Sequence, residues 1–198
     1  DADKQEPFAE ASGFFISADG LAVTNYHSIA GALYADATLS TGETYPVERV
    51  LFYDPDIDIA VLRISKTSTA NKTTSAFSFL EMAGTADVRT GDTVYTLGNP
   101  LGLGLAVSSG IVSAPRRMVE RYALPCVMNT ADISQGSSGG ALVNVYGQVI
   151  AVTSGAYTYG NSMYLAVPVD PVMEADLTSE GWTLAEVAAI QASAKKAA

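Results

Sequence analysis

The feature that most constrains the fold of this chain is the alternation of short β-type runs with tight turns. The runs are rich in β-branched and aromatic residues, as in FFIS, LAVTN, ATLS and TYPVERVLFY, and the turns between them include ADG and TGE. Short runs of this kind, bounded by glycine, aspartate and proline, are typical of antiparallel strands. The pattern therefore predicts an all-β protein.

A polar segment, Ser65–Ser75, divides this pattern into two halves. Further strands are predicted after it, at Val88–Leu97, Leu105–Pro115, Cys126–Thr130, Ala141–Asn144, Gln148–Thr153 and Tyr164–Val169. Two six-stranded antiparallel β-barrels are the natural architecture for such a chain. We predict one domain over residues 1–198, with an N-terminal barrel at about 8–66, a linker at about 66–75, a C-terminal barrel at about 76–170 and a helical segment at 171–198.

The pattern changes near the C-terminus, where Thr183–Lys196 is rich in alanine. Thr183 and Glu186 have the spacing of a capping box, in which each side chain pairs with the other residue's backbone amide. An apolar face follows, made of Leu184, Val187, Ala188 and Ile190. The segment predicts an α-helix, which we expect to pack on the second barrel.

One serine, Ser138, lies between glycines in the segment ADISQGSSGGALVNVYGQVIAV. A serine hydroxyl is a weak nucleophile, so it needs a base within hydrogen-bond reach and donors that stabilise the oxyanion formed after attack. Gly136 can adopt backbone angles that allow its amide and that of Ser138 to converge on one point. Gly139 and Gly140 leave room for a substrate chain. Ser138 is therefore a candidate nucleophile.

The chain contains one histidine, His27, at the end of the predicted strand LAVTN. A lone histidine is often a surface residue or a hydrogen-bonded core residue, but here it is also the one candidate base. Asp58 is the best carboxylate to orient it, because it directly precedes the apolar run Ile59–Ile64 and would be partly buried. Asp54 and Asp56 flank a proline and are interpreted as turn residues.

The order His27, Asp58, Ser138 resembles that of the chymotrypsin-like serine peptidases, and the flanking sequence is similar to their HtrA, or DegP-like, branch. Five segments carry this resemblance, in the same order as in the family: SGFFIS at 12–17, VTNYH at 23–27, DIAVLRI at 58–64, GNPLGLGLAVSSGIVSAPRR at 98–117 and QGSSGGALVNVYGQVIAV at 135–152. Together they cover most of residues 12–168.

The resemblance implies two β-barrels and a catalytic triad in which Ser138 is the nucleophile, His27 the general base and Asp58 its orienting carboxylate. It implies an oxyanion hole at Gly136, Ser137 and Ser138, with the amides of Gly136 and Ser138 as donors. Ser137 departs from the family, since HtrA proteins usually carry asparagine there. We expect no PDZ domain after the peptidase region, because too few residues follow it.

The GSSGG motif also fits the G-x-S-x-G nucleophile elbow of α/β-hydrolases such as esterases. Those enzymes place the catalytic histidine after the serine. No histidine occurs at 139–198. The chain order therefore argues against an α/β-hydrolase.

Four residues are candidates for substrate binding: Asp132, Thr153, Ser154 and Gly155. In chymotrypsin-like enzymes the residue six positions before the nucleophile lies at the base of the specificity pocket, which implies Asp132 here. A carboxylate in that place would attract Lys or Arg. HtrA-type enzymes instead prefer small aliphatic side chains, and Asp132 could equally be turned away to accept bonds from backbone amides. The resemblance further implies that Thr153 to Gly155 pair with the substrate backbone, with Gly155 leaving the pocket entrance open.

The formal net charge of −10 disfavours binding to nucleic acid or to an anionic membrane. Arg116, Arg117 and Arg121 are the one basic cluster worth noting, and we interpret them as solvated surface. Cys126 is the sole cysteine and so has no partner for an intramolecular disulfide; we expect a buried, unreactive thiol. With one histidine and one cysteine, we predict no metal site and no cofactor.

No apolar run is long enough to span a bilayer, so we predict no stable membrane insertion of this segment. The chain does not begin with methionine, and we expect a mature form from which a signal or anchor was removed. The resemblance suggests export to the bacterial periplasm, the cell surface or the medium.

Together these observations predict a serine endopeptidase that acts on polypeptides through an acyl-enzyme. The alternative is a catalytically silent peptide-binding or chaperone-like protein on the same fold. Oligomerisation stays open in both interpretations.

Overall fold

The computed structural model describes residues 10–99, 104–156 and 162–197. The strands within these ranges are β1 (Phe14–Phe15), β2 (Leu21–Thr24), β3 (Asp36–Thr38), β4 (Thr44–Asp54), β5 (Ile59–Ile64), β6 (Thr93–Gly98), β7 (Ala106–Arg117), β8 (Cys126–Asn129), β9 (Ala141–Val143), β10 (Val149–Ala156) and β11 (Tyr164–Pro168). The helices are a single 3-10 turn, Tyr26–Ser28, and the α-helices α1 (Asp170–Glu174) and α2 (Leu184–Ala197). The predicted all-β class with a C-terminal helix is confirmed.

The C-terminal half is a closed, antiparallel barrel with the strand order β10-β11-β8-β7-β6-β9. Its interior is apolar and fully buried, with Val94, Val127, Leu142 and Ala166 among the packed side chains. All six strands predicted for this half are present. β6 begins later than predicted because residues 89–92 form a turn, in which the Asp92 carboxylate accepts a bond from the amide of residue 89.

The N-terminal half differs from a closed six-stranded barrel. Its described residues form a five-stranded sheet in the order β1-β2-β5-β4-β3. The two edge strands contain two and three residues, so they are too short to pair with each other and close the sheet. The long strand β4 and the buried strand β5 carry most of the pairing.

Helix α2 packs on the N-terminal sheet, so the expectation that it packs on the second barrel is wrong. The reason lies just before the helix, where Trp182 pairs with Val50 of β4: each residue's amide donates to the other's carbonyl, at 2.7 and 2.9 Å. Leu184 and Val187 are buried against this sheet, whereas Ile190 is exposed.

The predicted capping box of α2 is present. The Thr183 amide donates to Glu186 Oε2 at 2.7 Å, and the Glu186 amide donates to Thr183 Oγ1 at 3.2 Å. This reciprocal pairing satisfies backbone donors that the first helical turn leaves free.

A continuous apolar cluster joins the two halves. Val23, Ile59 and Val61 from the N-terminal sheet pack with residues of the second barrel that include Met128 and Val167. The polar strand ends and loops at this junction carry the candidate site.

The predicted linker, Ser65–Ser75, folds back on the N-terminal sheet, where the Thr69 amide donates to the Thr44 carbonyl at 2.9 Å. Among the helices of the described ranges, none has the length and apolar character needed to cross a bilayer.

Candidate active site

His27 and Asp58 are joined by two hydrogen bonds. The backbone amide of His27 donates to Asp58 Oδ1 at 2.9 Å, and its ring Nδ1 lies 2.8 Å from Oδ2. An ionised carboxylate only accepts, so Nδ1 carries the ring proton and Nε2 is left as an acceptor. The side chain of His27 is 39% exposed and that of Asp58 is 7% exposed, so the imidazole faces solvent while the carboxylate is enclosed.

The turn between β4 and β5 places Asp58. Asp54, the last residue of β4, accepts a bond of 2.8 Å at Oδ1 from the amide of Asp56, which lies in the turn, so the two acids shape this turn. Asp58 itself has a φ of 59°, a left-handed conformation that aspartate tolerates better than most residues. The buried Asn25 side chain donates to the Asp58 carbonyl at 2.9 Å and so holds this conformation.

The carboxyl group of Asp58 is held in its ionised form. Burial acts to raise its pKa, but hydrogen bonds from His27 and Ser154 and the His27 charge outweigh burial and keep the pKa below its ordinary value. Asp58 therefore remains a negative partner for the imidazole across the neutral range.

Ser154, at the centre of this group, contacts both Asp58 and Ser138. Its hydroxyl donates to Asp58 Oδ2 at 2.7 Å, and its carbonyl accepts a bond of 3.1 Å from the Ser138 hydroxyl. Ser138 and His27, although both within the described ranges, form no hydrogen bond with each other. Nucleophile and base often come together fully only when substrate binds. In this arrangement the Ser138 hydroxyl is held by the Ser154 carbonyl rather than by the imidazole.

The loop before Ser138 is shaped by a tight turn. Ser137 donates its amide to the Ser134 carbonyl at 2.9 Å, and its hydroxyl accepts from the Ser134 amide at 3.3 Å. Gly136 has a φ of +90°, a backbone conformation that favours glycine, as predicted from the sequence. The Ser137 amide is therefore already paired, which removes it from the predicted oxyanion-hole set. The amides of Gly136 and Ser138 donate to no residue of the described ranges.

Ser12 clamps this loop to the N-terminal half. Its hydroxyl donates to the Gly136 carbonyl at 2.6 Å and accepts from the Asn99 amide at 2.8 Å. Its own amide donates to the Ser138 carbonyl at 2.8 Å. Ser12 thus fixes the carbonyls of Gly136 and Ser138, the two residues whose amides have no partner among the described residues.

Gly139 also makes a close approach to the N-terminal half. With a φ of +87°, a Cβ at this position would lie 2.1 Å from the Ser12 carbonyl oxygen and 2.4 Å from Thr24 Oγ1. Only glycine fits between these atoms without a shift of the backbone.

Asp132 lies in the loop after β8, and its side chain is exposed. Its Oδ1 accepts a bond of 2.8 Å from the Tyr164 hydroxyl. In the described part of the chain, no backbone amide donates to this carboxylate. Tyr164 and Leu165 of β11 pair with Ala156 and Gly155 of β10. The carboxylate therefore reaches the end of the β10–β11 pair.

A cavity of about 160 Å³ adjoins the same loop. Its lining residues include the apolar Leu97, Val107 and Ile133 and the polar Asp132 and Thr153. The cavity is therefore walled largely by aliphatic residues, with Asp132 among its lining residues.

The predicted substrate residues of β10 differ in their availability. Thr153 donates its amide to the Gly140 carbonyl and accepts from the Gly139 amide, both at 2.8 Å. These backbone groups bind the loop that carries Ser138, so they are occupied and not open to a substrate strand. A Cβ at Gly155 would meet no atom within 4 Å, consistent with an open entrance.

The remaining sequence predictions concern the basic cluster, Cys126 and metal binding. Arg116, Arg117 and Arg121 are exposed, as expected for solvated surface. Cys126 is fully buried, and burial raises its pKa to about 12, so the thiol stays neutral. Within the described ranges, no group of three or more His, Cys, Asp or Glu could hold a metal ion.

Sequence reasoning missed four residues as parts of the site: Ser12, Asn25, Tyr164 and Tyr122, whose hydroxyl oxygen lies 2.8 Å from Ser154 Oγ. Each reaches its partner across a long stretch of chain, 124 residues in the case of Ser12 and Gly136. No local spacing or propensity marks such contacts. For Asn25, its place two residues before His27 is the one signal that could have drawn attention to it.

The sequence of this chain is similar to a family profile and to several curated proteins. A family profile described as a trypsin-like peptidase domain matches residues 11–152. The chain is 37% identical over 176 residues to the mitochondrial serine protease HTRA2 of Bos taurus, an alignment that covers 86% of this chain and 36% of that protein. It is 32% identical over 187 residues to a probable periplasmic DegP-like serine endoprotease of Bartonella henselae, covering 89% of this chain and 36% of the relative.

Serine protease PepD of Mycobacterium tuberculosis is 36% identical over 168 residues, which cover 76% of this chain and 34% of that protein. The chain thus spans about a third of the length of the curated relatives it matches. A solved structure of the HtrA-type protease AlgW with a decapeptide superposes with a TM-score of 0.71 at 28% identity, covering 83% of this chain and 49% of that one.

Proposed function

Because this chain belongs to the trypsin-like peptidase domain family, we propose that it is a serine endopeptidase that cleaves polypeptides through an acyl-enzyme on Ser138. One observation carries the proposal: Ser154 contacts Ser138 through its carbonyl and Asp58 through its hydroxyl, while Asp58 holds His27. A nucleophile, a base and an orienting carboxylate are thereby gathered around one residue.

Attack begins when the Ser138 hydroxyl turns from the Ser154 carbonyl to Nε2 of His27. The imidazole takes the hydroxyl proton as Oγ bonds to the scissile carbonyl carbon, and Asp58 stabilises the resulting imidazolium. His27 then gives this proton to the leaving amine as the peptide bond breaks. A water molecule then gives a proton to His27 as its oxygen bonds to the acyl carbon. His27 returns this proton to Ser138 Oγ as the ester bond breaks, which releases the new carboxyl group.

The negative charge on the carbonyl oxygen needs two donors during each attack. The amides of Gly136 and Ser138 are suited to this, because neither is paired with a described residue and the clamp by Ser12 holds the loop that carries them. Preorganised donors of this kind contribute about a hundredfold to a thousandfold in rate each.

For specificity, we propose a preference for Lys or Arg before the cleaved bond. In the aliphatic alternative Asp132 is turned away to accept bonds from backbone amides, whereas its described partner is the Tyr164 hydroxyl and its side chain is exposed. A cavity with apolar walls and Asp132 among its lining residues also suits a side chain that has an aliphatic stem and a cationic head.

The rival function is a catalytically silent peptide-binding or chaperone-like protein. Such a protein needs an open strand edge but no base held by an ionised carboxylate, so the paired His27 and Asp58 favour the enzyme. We also propose that the protein is exported, supported by the periplasmic designation of the Bartonella henselae relative. The Bos taurus relative is named as mitochondrial, so the family occupies more than one compartment.

Fluorophosphonate labelling of the purified protein, together with casein cleavage, tests the peptidase proposal. Ser138→Ala should abolish the label and lower proteolysis by about 10⁴-fold or more while the circular dichroism spectrum is unchanged. Ser109→Ala, at an exposed position of β7, is the matched control and should behave as wild type. Unchanged casein cleavage by Ser138→Ala would refute the assignment.

A peptide library that varies the residue before the cleaved bond tests the specificity proposal. A charge-assisted bond to this exposed carboxylate is screened by solvent and is worth up to about 1 kcal/mol, so wild type should favour Lys and Arg by about twofold to fivefold, and Asp132→Asn should lose that preference. Asp92→Asn, on the turn before β6, is the control. A wild type that prefers Val or Ala would establish the aliphatic alternative instead.

A further inference from the structure

Tyr122 lies behind the candidate active site, in the loop that joins β7 and β8. The residue is buried, with 4% of its surface exposed. Its hydroxyl oxygen is 2.8 Å from Ser154 Oγ, and that atom is in turn 2.7 Å from Asp58 Oδ2. A chain of hydrogen bonds therefore runs from this loop, through Ser154, to the carboxylate that holds His27.

The direction of every proton in this chain follows from the chemistry of its groups. Asp58 is ionised and can only accept, so the single hydroxyl proton of Ser154 is donated to Oδ2. Ser154 Oγ then has no proton left for Tyr122, and the Tyr122 hydroxyl must be the donor between them. Burial raises the pKa of Tyr122, so the hydroxyl keeps its proton at neutral pH.

The same loop is also hydrogen-bonded to the turn that carries Asp58. The Ala123 amide donates to the Asp56 carbonyl at 2.8 Å. One loop of the second barrel thus contacts the Asp58 turn by its backbone and the Asp58 carboxylate through Ser154. The other charged or titratable neighbours are the neutral, buried Cys126 and the Arg121 guanidinium, which lies 5.5 Å from the centre of the Tyr122 ring.

We propose that Tyr122 is a positioning residue, whose hydroxyl fixes the Ser154 hydroxyl against Asp58 and through it the orientation of the His27 ring. The kinetic test of this proposal rests on the proposed peptidase function. The spectroscopic test needs only the NMR signal of the His27 ring. Tyr122 touches neither a substrate nor a reacting atom, so its influence passes entirely through Ser154.

Loss of this hydroxyl has two expected consequences. Ser154 Oγ becomes free to rotate, so the catalytic arrangement is populated less often and kcat falls by about three- to tenfold with little change in KM. Asp58 also loses the polarising effect of the outer proton and keeps more negative charge for the imidazolium. The midpoint of the His27 titration should therefore lie at higher pH in the variant than in wild type.

The kinetic experiment is a double-mutant cycle of Tyr122→Phe and Ser154→Ala, assayed with a chromogenic peptide. If Tyr122 acts through Ser154, Tyr122→Phe lowers kcat in the wild-type background and has no further effect in the Ser154→Ala background. Tyr45→Phe removes a hydroxyl at another buried tyrosine, on the N-terminal sheet, and should leave kcat unchanged. Should Tyr122→Phe be insoluble, Tyr122→Met removes the same hydroxyl with an adaptable side chain.

The spectroscopic experiment follows the His27 ring by proton NMR, where a single histidine gives one unambiguous titration. An upward midpoint shift in Tyr122→Phe and none in Tyr45→Phe supports the proposal. Equal kcat losses in both Ser154 backgrounds, or an unmoved His27 midpoint together with an unmoved kcat, overturns it. The two proposals can fail separately. If the wild-type protein takes no fluorophosphonate label, the peptidase function is refuted. If the His27 midpoint still differs between wild type and Tyr122→Phe, the positioning role stands.

Discussion

Replacing Ser12 by alanine should damage catalysis by releasing the loop that carries Ser138. The hydroxyl of Ser12 makes two bonds, to the Gly136 carbonyl at 2.6 Å and from the Asn99 amide at 2.8 Å. Each bond contributes about 0.5–1.5 kcal/mol net, so Ser12→Ala should lower the free energy of unfolding by about 2 kcal/mol. For a chain of this size, that corresponds to a drop of roughly 4–8 °C in Tm.

The effect on rate is expected to be distinct from the effect on stability. Complete loss of an oxyanion donor costs about a hundredfold to a thousandfold in kcat. Ser12→Ala keeps the backbone bond from its amide to the Ser138 carbonyl and frees only the Gly136 side of the loop, so a loss of about tenfold in kcat is expected. KM should change little, because Ser12 is not among the residues that line the cavity beside Asp132.

Three measurements on one protein preparation check this prediction: kcat and KM on a chromogenic peptide, inhibition by a peptide aldehyde, and thermal unfolding. The aldehyde forms a tetrahedral adduct whose oxygen occupies the oxyanion position, so its affinity should fall by the same factor as kcat. Ser17→Ala is the matched control, since it removes one bond, from the Leu21 amide, on the β1–β2 hairpin. A Ser12→Ala protein that is less stable but keeps its kcat and aldehyde affinity would refute the reasoning.

Further predictions concern the loop contact, the acid response and the helix cap. Gly139→Ala places a methyl group 2.1 Å from the Ser12 carbonyl oxygen, so we expect loss of peptidase activity together with a lower Tm, by activity assay and calorimetry; an active variant would show that the two halves can separate locally. Because the pKa of Asp58 is held below its ordinary value in the folded state, its contribution to stability is present above about pH 4 and is lost as the pH falls through the folded-state value. Urea unfolding of wild type and Asp58→Asn between about pH 2 and 7 checks this, and equal slopes below about pH 4 would contradict it. Thr183→Ala removes the hydroxyl that accepts from the Glu186 amide at the start of α2, so the free energy of unfolding should fall by about 1 kcal/mol in urea unfolding while kcat stays the same. A change in kcat would instead link α2 to the site.

Local signals in the sequence were enough to predict the turn and loop chemistry. The Asp54 turn, the capping box at Thr183 and the positive φ of Gly136 each depend on residues within a few positions of one another. The strands of the second barrel were predictable for the same reason, since alternation and turn residues are read within a short window.

Contacts between distant segments could not be predicted in this way. An apolar stripe shows that α2 packs on something, but the partner is selected by the backbone pairing of Trp182 with Val50, for which the sequence has no periodic signature. The roles of Ser12 and Tyr122 likewise depend on how the two halves meet. The open N-terminal sheet follows from the brevity of its edge strands, which composition alone does not reveal.

The pairing of Trp182 with Val50 has a consequence for how this chain folds. The strand that it joins lies early in the sequence, and Trp182 lies beyond the last barrel strand, 132 residues later, so this pairing closes a loop that contains the whole second barrel. Contacts of such sequence separation slow folding, because the loop entropy must be lost before the contact is gained. The same pairing ties the segment after the second barrel to the N-terminal sheet. We therefore expect the two halves to unfold in a single cooperative transition rather than one after the other.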